Sequence, residues 1–84
     1  MKPVRMTQHA REQAALRGTN EAEIGEALAQ GSRQAAKHGR WMYRHNFQFG
    51  AKWQGNFYPI KQVAPVVIEK KSEFVVVTVY TFYF

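Results

Sequence analysis

His9, Gln13 and Arg17 stand at i, i+4 and i+8, so in a helix they lie on roughly one side. An imidazole titrates near neutrality and can move a proton to or from a ribose 2′-hydroxyl, and a guanidinium on the same rim can hold phosphate charge. The same spacing also fits a partly exposed histidine near a helix start and an arginine that complements a helix C-terminus. Arg44 belongs to a second group, with Met42, Asn46 and Gln48 on the same strand face. A guanidinium flanked by amides grips a phosphate bidentately and stabilises a pentacovalent transition state, and the pattern equally describes the solvent face of an antiparallel sheet. Thr78 and Tyr80 alternate with Phe74, Val76, Phe82 and Phe84, which predicts one shared face. Hydroxyls on an apolar face either point into a cleft or belong to a β-favouring threonine and a core tyrosine with a wet tip.

No acidic residue occurs between Glu26 and Glu69, a stretch that carries Arg33, Lys37, Arg40, Arg44, Lys52 and Lys61. Trp41, Tyr43, Phe47, Phe49, Trp53, Phe57 and Tyr58 are threaded among them. Cations neutralise phosphates and release counterions while aromatic faces offer stacking platforms, so the segment is a candidate polyanion surface, for nucleic acid, an anionic membrane or an acidic protein. Arg40, Lys52 and Lys61 are placed for phosphate contacts, and Trp53 and Tyr58, close to the glycines, for base stacking. Trp41, Tyr43 and Phe47 alternate as a core-facing row does.

The 84 residues make one domain, residues 1–84, with a formal net charge of +6 and no Cys or Asp. The missing thiols exclude a disulfide framework and a Cys-type zinc site. His9, His38 and His45 lack metal-binding spacing, so no metal site and no cofactor are expected; His38 reads as a loop residue and His45 as a strand-face residue. The N-terminus shows no apolar secretory segment, and Phe74 to Phe84 is far shorter than the ~20 residues a membrane helix needs. A cytoplasmic protein with no membrane association is expected.

The elements that must position these groups are legible. Thr7 caps a helix from about Gln8 to Arg17 that stops at Gly18, and Asn20 opens a second, with Glu23 three residues on and Gly31 at its end. Ile24, Ala27 and Leu28 form its buried stripe. From Arg40 the period becomes two. One strand follows, then a turn or loop over Ala51 to Asn56, a strand within Phe57 to Gln62, Val66 to Ile68, a polar break, and a central strand from Phe74 to Tyr83. Pro65 places the start of its strand at an edge or a bulge. The expected fold class is α+β, with two N-terminal helices packed on a three- to four-stranded, mainly antiparallel sheet.

The run from Thr7 to Gly18, with its His9-Ala10 pair and Arg17-Gly18 eight residues later, precedes an acidic-capped helix ending in Ala27-Leu28. Gly39-Arg40-Trp41-Met42-Tyr43-Arg44 and the Val-rich segment from Val66 to Tyr80 follow in order. In these features almost the whole chain resembles the bacterial domain of unknown function family 4258. That family is similar to the RelE and BrnT toxins and to small ribonucleases of the barnase–EndoU–colicin–RelE type. The resemblance implies a RelE-like fold and metal-independent RNA cleavage on the sheet face. It also implies catalytic roles for His9, Arg17, Arg44 and Thr78. Thr19 stands where the family has an apolar residue, and the Ala51 to Ala64 region is longer and more aromatic than the family pattern.

The leading expectation is a small basic toxin-like endoribonuclease acting on RNA, with an acidic antitoxin or immunity protein as partner. The alternatives are a non-catalytic nucleic-acid-binding module and a homodimeric interaction protein joined through its apolar last strand.

Overall fold

The computed structural model describes residues 1–84. In chain order it contains β1 (Val4–Met6), α1 (Gln8–Arg17), α2 (Glu21–Gln30), β2 (Ser32–Ala35), a 3-10 turn (Lys37–Gly39), β3 (Trp41–Trp53), β4 (Asn56–Glu69) and β5 (Phe74–Tyr83). The Thr7 hydroxyl accepts from the Ala10 N–H at 3.1 Å and opens α1. Gly18, in the left-handed region at φ 76°, closes it by donating its N–H to the Ala14 carbonyl. Asn20 caps α2 through the Glu23 N–H at 2.9 Å, with Glu21 and Glu23 in the first turn where the helix dipole favours them.

The strands form one sheet in the order β1-β5-β4-β3-β2, with β1 parallel to β5 and every other pair antiparallel. Both helices pack on the same face, which makes the fold α+β. Ala10 and Ala14 of α1 and Ile24 and Leu28 of α2 meet Met6, Tyr43, Val63, Val67, Phe74, Val76 and Val79 of the sheet in one core. A fully buried Val or Ile side chain contributes about 1.5–3 kcal/mol relative to exposure. Packing on this face, more than helix propensity, therefore holds two ten-residue helices in place. No helix is long and apolar enough to cross a membrane.

The sheet has five strands, against the three or four expected. β1 alternates over only three residues directly before the Thr7 cap, too short a run to stand out, and every residue of β2 is exposed, so it carries no apolar alternation. The loop expected over Ala51 to Asn56 is mostly strand. β3 continues to Trp53, and only Gln54 (φ 51°) and Gly55 (φ 87°) turn the chain, the two positive φ angles of a tight hairpin. Phe57 to Gln62 and Val66 to Ile68 belong to one strand, β4, which is central, so Pro65 is not at an edge. Instead it adjoins a bulge: Val66 pairs with Thr78 and Val67 with Val76, leaving Val77 as the extra residue.

That bulge corrects the expected face of β5. Phe74 and Val76 before it and Val79 after it lie in the core, whereas Thr78 pairs with Val66 and Tyr80 with Ala64 on the opposite face. β5 is central only as far as Val76, where β1 ends, and α1 shields the edge beyond it. The Arg17 guanidinium donates to the Val79 carbonyl at 2.8 Å, and the Thr81 and Tyr83 hydroxyls donate to the Arg17 carbonyl at 2.9 and 2.8 Å.

Candidate nucleic-acid interface

The two sheet faces divide the charged groups unequally. On the helix side, Lys61 pairs with Glu23 at 2.7 Å and the His45 imidazole lies 3.3 Å from Glu26. Lys2 and Arg33 both approach Glu69, at 3.1 and 3.7 Å. Arg11 is taken by Glu21 across the helices, and Arg5 and Lys70 by Glu73 at the start of β5. The cations without a carboxylate partner are Arg17, Lys37, Arg40, Arg44, Lys52 and Lys71.

Much of that unpaired charge gathers at the helix-free face, around a cavity of about 430 Å³. Met42, Val66, Thr78 and Tyr80 of the three inner strands line it, together with Gln34 to His38 and Arg40 from β2 and the turn that follows. Lys37, His38 and Arg40 thus share this cavity with the two hydroxyl-bearing residues of β5. Arg44 borders this site on the same face. Its guanidinium donates to the Gln34 side chain at 3.0 Å and to Gln62 at 2.9 Å, and it lies 5.3 Å from the Phe82 ring centre. Gln62 is held in turn by Asn46 at 2.9 Å, so the amides fix the arginine without neutralising it. Arg17 reaches round the β5 edge to stack on Tyr80, 4.8 Å from its ring centre.

Arg17, Arg40, Arg44 and Thr78 are therefore associated with one face. His9 is exposed, makes no side-chain hydrogen bond or ion pair, and lines none of the cavities. Lys52 is exposed near the hairpin tip, opposite Phe57 and outside the cavity.

Lys61 is in a different position from the one its charge suggests. Its side chain is only 8 % exposed, and besides Glu23 it donates to the Gly18 carbonyl at 3.0 Å on the helix side. The ammonium is used to hold α1 and α2 to the sheet, so it has no reach to a phosphate. Trp53 and Tyr58 are also packed: Trp53 stacks on Tyr83 at 4.9 Å and Tyr58 lies 5.7 Å from the same ring. Phe49 completes the group at 5.3 Å from Tyr83, and Trp53 and Tyr83 close over Gly18. Phe57 stays 61 % exposed.

Glu73 is held below the usual carboxylate range by its hydrogen bond to Arg5, and the other groups with displaced titration lie on the covered side. Burial, then the hydrogen bond to Glu69, pushes the Tyr43 hydroxyl above its ordinary range. That bond, 2.9 Å long, and the Lys2 ammonium hold Glu69 below the usual carboxylate range. Burial raises the Tyr83 hydroxyl. These are structural hydrogen bonds around the core rather than groups facing a cleft. No three His or Glu side chains converge as a metal site would require. A second cavity, of about 470 Å³ at Gln48, Phe49, Gly50, Phe57, Pro59 and Ile60, contains no ionisable group.

Lys37 and His38 are the residues that sequence reasoning left out of the site. The signal lay in Lys37-His38-Gly39-Arg40, a histidine between cations at a glycine turn inside the acid-free stretch. No family model, curated protein or solved structure matches this chain.

Proposed function

We propose that the chain is a small RNA-targeting domain that uses its helix-free sheet face, and that it acts there as a metal-independent, toxin-like endoribonuclease in the cytoplasm. The observation that carries this reading is the segregation of charge: the face with the Thr78–Tyr80 cavity holds Arg40, Lys37 and Arg44 and no carboxylate partner for any of them. Phosphates lie against these cations, and bases stack on the exposed rings of Tyr80 and Phe82. Arg44, fixed by two amides, is preorganised to meet charge that develops on phosphorus. The ribose 2′-hydroxyl attacks in line and leaves a cyclic phosphate, a step that depends on positioning and proton transfer. An acidic antitoxin or immunity protein is a fitting partner, because it covers the same cations.

The test measures binding and cleavage of single-stranded RNA in excess EDTA. Neutralisation of one phosphate each by Lys37, Arg40 and Arg44 gives a log–log salt slope of about −2. Cleavage yields 2′,3′-cyclic phosphate ends. Flat affinity between low and moderate salt rules out the RNA-targeting reading, and salt-dependent binding without cleavage leaves a non-catalytic RNA-binding module. A homodimeric interaction protein is a second reading, favoured by the exposure of Phe57 (61 %), Phe82 (41 %) and Phe84 (54 %). Sedimentation over a hundredfold concentration range separates it from a monomer.

A further inference from the structure

We infer that His38, and not His9, is the proton-transfer group of the cleft. This rests on the ribonuclease reading above and adds a catalytic residue that neither spacing nor resemblance supplied. His38 lines the same cavity as Thr78, Tyr80, Lys37 and Arg40, so an imidazole, two hydroxyls and two cations share one concave space. His9 lines no cavity. The backbone at His38 is left-handed, at φ 62° and ψ 34°, and Gly39 follows at φ 71°. A side chain at such a position costs more than glycine does, and histidine is among the residues that tolerate it. The consecutive left-handed residues turn the chain sharply between β2 and β3, and His38 at this turn lines the cavity that Thr78 and Tyr80 of β5 also line.

Imidazole is the side chain whose acidic and basic forms are both accessible near neutral pH. With a ribonucleotide in the cleft, the neutral imidazole takes the 2′-hydroxyl proton. The 2′-oxygen–phosphorus bond forms as the phosphorus–5′-oxygen bond breaks. The departing 5′-oxygen takes a proton from water, and the imidazolium neutralises the hydroxide that remains. Arg40 and Lys37 line the same cavity as this reaction, and Arg44 borders it.

The test is single-turnover cleavage in EDTA of a DNA oligonucleotide that carries one ribonucleotide, with binding of the same oligonucleotide measured by anisotropy. His38→Gly suits the left-handed backbone, so the fold is kept while the imidazole is lost. The expected result is a loss of at least a hundredfold in rate with affinity changed less than threefold, and partial recovery of rate on adding free imidazole. A His38→Gly rate within threefold of the unmodified protein, with the loss falling on His9→Ala instead, overturns the assignment and leaves the ribonuclease reading in place. Absence of cleavage by the unmodified protein overturns both. A loss in His38→Gly that imidazole does not restore, accompanied by weakened binding, makes His38 a structural residue and also overturns the assignment.

Discussion

The covered and open faces of the sheet use the same side-chain types for different ends. On the covered face each cation meets a carboxylate: Lys61 with Glu23, and Lys2 and Arg33 with Glu69. On the open face Arg44 meets only the amides of Gln34 and Gln62, and Lys37 and Arg40 meet no carboxylate. A paired cation near the core is costly to unpair and unavailable to a ligand, whereas an oriented, unpaired one adds little stability and attracts an anion. Charge alone therefore does not mark the interface. The availability of the charge does.

The comparison predicts large stability effects on one face and small ones on the other. Glu23→Gln removes the negative charge beside the buried Lys61 ammonium and leaves it only neutral oxygen acceptors, and its expected cost is about 3 kcal/mol in urea denaturation. A loss below about 1 kcal/mol would mean that Lys61 escapes to water, and the contrast between faces would weaken. Next comes Gly18→Ala. Its added Cβ would stand 2.6 Å from both Trp53 and the Tyr83 hydroxyl, on a backbone at φ 76°. That strain should cost about 2 kcal/mol, read as a lower thermal midpoint and altered Trp53 fluorescence.

Tyr43→Phe removes the hydrogen bond that does most to lower Glu69, at about 1 kcal/mol near neutral pH. The folded pKa of Glu69 lies below its ordinary value of 4.5, so its contribution is present above that value and is lost as pH falls through the depressed one. The variant should accordingly lose less stability on acidification than the unmodified protein; parallel stability curves would contradict this. Arg40→Ala should show the smallest stability change, within about 0.5 kcal/mol. It should nevertheless weaken RNA binding and lower the salt slope by about 0.7. A stability loss comparable to that of Glu23→Gln would erase the distinction between the faces.

The helices and the α+β class were legible in the sequence because their signals are local. Thr7, Gly18 and Asn20 carry capping chemistry, and Ile24, Ala27 and Leu28 carry the helical period. The alternation of Trp41, Tyr43 and Phe47 likewise announced the core face of β3. Pro65 signalled an edge or a bulge, but the placement of the extra residue at Val77 was not legible: in a run of Val and Thr it leaves no compositional mark, yet it turns Thr78 and Tyr80 to the open face. Lys61 was misjudged for a related reason. Its partner Glu23 lies far away in sequence, so the acid-free stretch between Glu26 and Glu69 concealed an ion pair made with a residue just outside it. His38 was read as a loop residue because nothing local says that its turn lines a cavity shared with β5. Short-range chemistry set the elements, and long-range pairing decided which charges are free.

Backbone amide shifts during titration with a short single-stranded RNA test the central claim most directly. Perturbations confined to Gln34 to Arg40, Met42, Arg44, Thr78 and Tyr80, and fading as salt is raised, are the predicted result. Perturbations centred on α1 and α2, or none at RNA concentrations that saturate a micromolar site, would contradict the assignment of the open face as the interface.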